Sequence, residues 1–156
     1  MTTVDKKKIP AKRVGIVSLK LIKENSVLYE IRIIRSPYDA YKLIKNFLID
    51  SDREKFVVAC LDTKNQPVNI SVVSIGSVNS AIVHPREVFK VAMLSNASKI
   101  ICFHNHPSGN PKCSKEDENI TNRLKECGEI LGIELVDHII VGDNDTYFSF
   151  KENCIM

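Results

Sequence analysis

Four residues stand at a spacing that can do chemistry: His104, His106, Ser114 and Asp117, in the pattern H-x-H-x(7)-S-x-x-D. Two neutral imidazoles and one carboxylate are a donor set for a divalent ion, and three protein ligands rather than four leave a position for water. An open position is what metal-assisted hydrolysis needs. The same donor types also make the facial triad of non-haem iron oxygenases. A second account of the acid is purely local. Ser114 followed three residues later by Asp117 reads as a variant capping box, in which serine caps a helix and the acid answers both the cap and the helix dipole. Capping leaves His104 and His106 unexplained, and metal binding does not exclude capping, so both readings stand at this point.

These residues need a strand, a loop and a helix to bring them together. Residues 98–104 contain Ile100-Ile101-Cys102-Phe103 and read as a buried strand. Residues two apart on a strand share a side, so with His104 as the last strand residue the two imidazoles are presented toward one point beyond the sheet. Pro107, Gly109 and Pro111 then rule against a continued ladder or helix and make a returning loop. From Ser114, Ile120, Leu124, Cys127 and Leu131 fall at helical spacing, in a helix that stops near Gly132.

The remaining elements form the support. Residues 14–23 and 26–35 alternate apolar and polar positions around a turn at Glu24-Asn25 and predict an amino-terminal hairpin. Ser36 and Pro37 open a helix carrying Tyr38, Tyr41, Ile44 and Leu48 on one face, and it ends near Asp50. Residues 56–61 are a buried strand, 62–65 a turn and 66–75 its neighbouring strand. Pro85 opens a second helix with Val88, Phe89, Ala92 and Met93 inward, ending by about Asn96, and residues 133–142 and 146–150 are the last strands. Alternating strands and helices with several adjacent strand pairs predict a mixed sheet with helices packed on it, of α/β or α+β class.

A chain of 156 residues, 44% hydrophobic and 26% charged, suits one domain that holds a core without a disulfide or structural metal. A metal bound here would therefore serve chemistry. The longest apolar run, Phe56 to Leu61, is far short of the roughly 20 residues of a membrane span, and the first ten residues hold no apolar segment of a secretory signal. The net charge of +3 is concentrated in residues 1–13, where Lys6, Lys7, Lys8, Lys12 and Arg13 oppose only Asp5. The expectation is a solvated basic tail, with weak attraction to nucleic acid at most, ahead of a single domain over 14–156. Five cysteines, odd in number and without C-x-x-C spacing, read as reduced thiols of a cytoplasmic protein, with Cys60, Cys102 and Cys127 as core fillers.

The loop FHNHPSGNPKCSKED resembles the RadC family, bacterial proteins of the JAB/MPN (JAMM) metalloprotease superfamily. LDTKNQ, SIGSVNSAIVHPREVFKVA and LGIELVDHIIVG are similar to RadC segments as well, so the likeness covers residues 36–150. The resemblance implies one zinc ion on His104, His106 and Asp117, with Ser114 beside it, on a curved sheet flanked by helices similar to the cytidine deaminase architecture. It also implies an upstream glutamate as general base, and Glu54 is the matching position. On residues alone Glu54 is a solvated charge at a strand start. Glu30, Glu87 and Glu116 are weaker contenders, lying in the hairpin and in helical first turns. The expected activity is hydrolysis of peptide or isopeptide bonds in a protein or peptide substrate, with Ser114 donating to the oxyanion.

Two further functions compete with hydrolysis. A silent metal-binding scaffold acting on nucleic acid or in anti-restriction by mobile elements is one, although no interleaved aromatics, basic stripe or groove-reading helix supports DNA binding. Iron-dependent oxygenation is the other. Cys113 stands where the family usually has proline and is an incidental small residue or a fourth, soft ligand. Residues 76–84 are a candidate substrate-groove loop, His84 begins a helix, Asp143-Asn144-Asp145 is a turn, and His138 is a structural strand residue.

Overall fold

The computed structural model describes residues 11–76 and 83–156. Helix α1 (Pro37–Leu48) starts where predicted: Ser36 Oγ accepts the Asp39 N–H at 3.2 Å, and Pro37 occupies the first turn, where its missing N–H costs nothing. Strands β1 (Glu54–Leu61) and β2 (Pro67–Gly76) follow, then α2 (Pro85–Leu94), β3 (Lys99–Asn105), α3 (Lys115–Leu131), β4 (Glu134–Val141) and β5 (Tyr147–Ser149). The five strands form one mixed sheet in the order β2-β1-β3-β4-β5. The β3–β4 pair is parallel and the others antiparallel, with α3 as the crossover between the parallel strands.

The period of two along β1 and β3 divides the core into two layers. Val57, Ala59, Leu61, Ile101 and Phe103 join Tyr41, Ile44 and Leu48 of α1 on one face. Phe56, Val58, Cys60, Ile100 and Cys102 join Val88, Phe89 and Ala92 of α2 and Leu124 of α3 on the other. A central strand covered on both faces is apolar at every position, and each large side chain withdrawn from water contributes roughly 1.5–3 kcal/mol. His104 follows Cys102 by two residues and therefore faces α3. The loop after β3 delivers the amino end of α3 to the carboxyl end of that strand, and at the far end of the helix Gly132, in the left-handed conformation with φ 69°, turns the chain into β4.

One expectation fails. The hairpin predicted over residues 14–35 is not formed: the segment contains no strand, and Val14, Ile16, Val17 and Leu19 are exposed. Alternation makes a strand only where a ladder partner and a covering face are available, and neither edge strand, β2 nor β5, pairs with this segment. Packing begins at Tyr29, whose hydroxyl donates to the Asp39 carbonyl at 3.0 Å, and continues at Ile34, whose N–H donates to Asn65 O at 3.0 Å. Of the expected basic tail, residues 1–10 lie outside the described residues. No helix among the described residues is long and apolar enough to cross a membrane.

Candidate metal centre

His104 closes β3 from the buried side, and His106 lies one residue past the strand end, so strand parity carries both rings to the α3 face. Strand β3 extends one residue further than predicted, to Asn105, and the extra residue has a purpose. Its side chain turns to the opposite neighbour, where Oδ1 accepts the Lys55 N–H at 2.9 Å and Nδ2 donates to Arg53 O at 3.0 Å. Asn105 thereby holds the backbone on both sides of Glu54. The antiparallel register pairs Phe56 with His104 and ends there, so Glu54, two residues before Phe56 on β1, shares the face of His104. Sequence reasoning missed Asn105 because its partners lie about fifty residues upstream, on another strand.

Helix α3 supplies the acid. Ser114 caps it, accepting the Asp117 N–H at 3.1 Å through Oγ, while Asp117 Oδ2 accepts the Ser114 N–H at 2.8 Å; the capping box is complete. The Ser114 hydroxyl also donates to Asp117 Oδ2 at 2.8 Å. Capping and metal binding are therefore served by the same geometry, because the cap turns the Asp117 carboxylate back over the strand end. Its Oδ1 lies 3.2 Å from His104 Nε2, and its Oδ2 lies 3.5 Å from His106 Nε2. The two Nε2 atoms are 3.0 Å apart, and one donor atom from each of the three residues lies within 4.8 Å of the others.

The chemistry of this donor set fits a cation. His106 Nδ1 meets the Asn110 carbonyl at 2.8 Å. A carbonyl only accepts, so Nδ1 carries the proton and the neutral ring presents a lone pair at Nε2, the arrangement that orients ligating histidines. A carboxylate and facing ring nitrogens at these distances need positive charge among them, from a proton or a metal. The loop that follows His106 is held by the turn after β4: Asp143 N–H donates to Gly109 O at 2.8 Å. Gly142 permits that approach, since a Cβ there would stand 2.7 Å from Pro111 Cδ and 2.8 Å from Gly109 O.

The electrostatics follow. Burial alone would raise the Asp117 carboxyl, but the His104 and His106 rings that face it, as donors when they carry a proton on Nε2, outweigh burial and hold the group far below the usual carboxylate range. His106 is raised above the ordinary imidazole value, first by its hydrogen bond to Asp117, against the opposing effect of burial. Glu54 is raised by desolvation; the two imidazoles pull it down and Asp117 pushes it up. Its Oε2 is buried and has no hydrogen-bond partner. A buried unsatisfied polar atom costs about 1–3 kcal/mol, so Glu54, half-buried and in no ion pair among the described residues, is more than a charge left in water at a strand start.

A proton would compete with a metal at His106. Because the Asp117 carboxylate raises that ring, its proton is retained to a higher pH than in an ordinary histidine. Zinc affinity is expected to fall about tenfold per pH unit once the solution drops below the raised value, measured by competition against a chelator from pH 8 to pH 6. A pH-independent affinity across that range would remove His106 from the ligand set.

The other predicted residues separate cleanly. Glu30 and Glu116 are exposed, and Glu87 is paired with Lys90 and Arg86 in the first turn of α2. His84 precedes α2 as its N-cap, with its carbonyl accepting the Glu87 and Val88 N–H groups. Cys113 is not one of the three converging residues, and burial, then the nearby Glu118 and Asp117 carboxylates, pushes its thiol up, away from the thiolate a ligand must be. Cys60 and Cys102 are buried and Cys127 packs against the same layer, all unpaired. The 143–145 turn forms, and its Asp145 also reaches α1, accepting from Lys45 Nζ at 3.0 Å and from the Tyr41 hydroxyl at 3.2 Å. Of the candidate groove loop, residues 77–82 lie outside the described residues. His138 does occupy a strand, but it is wholly buried against the site, with its ring centroid 4.9 Å from that of His104. Desolvation lowers its pKa well below the imidazole value and keeps the ring neutral.

Comparison with known proteins gives the family. The family model described as RadC-like JAB domain matches residues 34–155. The chain belongs to this family. The match begins at Ile34, the first buried core residue, and leaves the irregular segment before it outside. The chain is similar to a UPF0758 protein of Clostridioides difficile (strain 630), 52% identical over 123 residues, which cover 79% of this chain and 52% of that protein. A UPF0758 protein of Geobacillus sp. (strain WCH70) is 51% identical over 120 residues, covering 77% and 53% of the two chains. One of Methanosarcina barkeri (strain Fusaro / DSM 804) is 48% identical over 121 residues, covering 78% and 52%. The chain thus spans about half the length of the curated relatives it matches.

Proposed function

We propose that this RadC-like domain is a zinc-dependent hydrolase of peptide or isopeptide bonds. The observation that carries the reading is the convergence of His104, His106 and Asp117 beside a Glu54 carboxyl oxygen that is buried and without a partner. A core of this size needs no metal for stability, so the cost of collecting two imidazoles and two carboxylates at one strand end points to chemistry.

His104 and His106 would hold the ion through Nε2, and Asp117 through a carboxylate oxygen. When bound, zinc supplies a Lewis acid that polarises a carbonyl and lowers the pKa of water to about 7. Glu54 takes the water proton at Oε2 and returns it to the departing amine nitrogen, as a new C–O bond replaces the C–N bond. Desolvation, which raises its pKa, makes this carboxylate a better proton acceptor than an ordinary glutamate. Ser114 has two parts in this reading. It holds Asp117 in place through Oγ, and its hydroxyl becomes a donor to the developing oxyanion once the Asp117 contact is released. No covalent intermediate is needed.

The test is metal content of the purified protein together with cleavage of a peptide library and of isopeptide-linked conjugates, with and without chelator. Chelator-sensitive cleavage with stoichiometric zinc is the expected result. Stoichiometric zinc with no cleavage of any substrate would favour the scaffold reading, and iron with oxygen consumption the oxygenase.

A further inference from the structure

We propose that His138 is a positioning residue which, itself held by Thr121, fixes His104 in the tautomer that leaves Nε2 free for a metal. This rests on the metal reading above and extends it to two residues outside the donor set. The contacts run in one direction. Thr121 Oγ1 lies 2.6 Å from the Asp117 carbonyl, which only accepts, so the single hydroxyl proton is directed there. The hydroxyl oxygen must then accept from His138 Nδ1, 2.6 Å away, which places the proton of neutral His138 on Nδ1 and a lone pair on Nε2. That lone pair faces His104 Nδ1 at 2.8 Å and holds the His104 proton there. In neutral His104, whose single proton then sits on Nδ1, Nε2 keeps a lone pair, 3.2 Å from Asp117 Oδ1 and 3.0 Å from His106 Nε2. The path begins at the Asp117 backbone and ends at its side chain.

Packing alone does not call for a histidine at this position. The ring is stacked on Phe150 with centroids 4.9 Å apart and planes at 11°, and meets Phe56 edge-on at 5.4 Å. A phenyl ring would suit such an aromatic slot without the cost of desolvating two nitrogens. The two ligating histidines also differ. His106 donates to a carbonyl, which admits one tautomer. His104 instead meets a second imidazole, which can donate or accept, so its state is decided one residue further out, by the Thr121 hydroxyl. Register places the parts: β4 pairs Cys102 with His138 in parallel, on the α3 face, and Thr121 stands one helical turn beyond Asp117.

Two measurements test this in the wild type and in His138→Phe, Thr121→Val and Thr121→Ser variants. The first is imidazole tautomer population by ¹⁵N NMR in the metal-free protein, and the second is zinc affinity by chelator competition. In Thr121→Val, His138 is free to carry its proton on Nε2, which forces the His104 proton onto its own Nε2. The Nε2–H form of His104 is expected to rise in both Thr121→Val and His138→Phe, and zinc affinity to fall about 10–100-fold, the usual effect of losing an outer partner of a ligand. Thr121→Ser restores both. Wild-type zinc affinity with His104 still protonated on Nδ1 in Thr121→Val would overturn the proposal, as would Thr121→Ser behaving like Thr121→Val. Valine matches threonine in shape, so that comparison decides the matter if His138→Phe does not fold. Failure of the wild type to take up zinc would sink the metal reading, while the tautomer populations would still decide the relay.

Discussion

Replacing Glu54 by Gln is expected to lower turnover by about 10²–10⁴-fold while zinc remains bound, the range typical of removing a general acid–base group. The amide keeps the size of the side chain but cannot take a proton from water or return one to the amine. Stability should not suffer. Oε2 has no hydrogen-bond partner to lose, and burial already penalises its charge. A neutral amide relieves that penalty, so the thermal midpoint is expected to stay level or rise. A glutamate that merely stabilised the strand start would show the reverse, a lowered midpoint with activity retained. The pH profile of the wild type provides a second check. Because desolvation raises Glu54, the acidic limb of kcat/KM should lie above the ordinary glutamate value, with activity rising as pH passes through it. Full activity in the Gln variant would remove Glu54 from the mechanism.

Replacing His106 by Ala is expected to weaken zinc binding by more than the 10–100-fold typical of an outer partner, and to abolish chelator-sensitive cleavage with it. The variant removes one of three donors and also the ring that shares the Asp117 carboxylate with His104. Its fold should persist, because His106 belongs to neither of the two buried core layers and lies beyond β3. Metal content of the purified variant and zinc competition measure the effect, with circular dichroism confirming the fold. Wild-type zinc content would show that the ion binds elsewhere, and the donor set would have to be redrawn.

Much of this site was legible in the sequence because its chemistry is local. His104 and His106 stand two apart on a strand, and Ser114 and Asp117 stand three apart at a helix start, so period and cap geometry alone bring each pair to a common side. The resemblance to RadC segments joined the two pairs and selected Glu54 from four glutamates. The core of β1 was equally plain, as six consecutive apolar residues fit a strand covered on both faces. The amino-terminal hairpin failed for the converse reason. Alternation over residues 14–35 describes a strand's own faces and carries no information about a neighbour to pair with, and the sheet offers it none.

His138, Thr121 and Asn105 were not legible as parts of the site. Their partners lie tens of residues away, across a strand pairing or a helix–sheet contact, and nothing in a single sequence records such distances. By itself, then, the sequence determined the elements, the donor types and their local spacing, since these follow from the periods of helix and strand and from caps and turns. Only the tertiary structure decided that β1 and β4 flank β3, which puts Glu54 on the face of His104 and brings His138 onto His104. The physical reason is that strand order and register come from burying two faces of one sheet at once, a condition on the whole chain that no local segment contains.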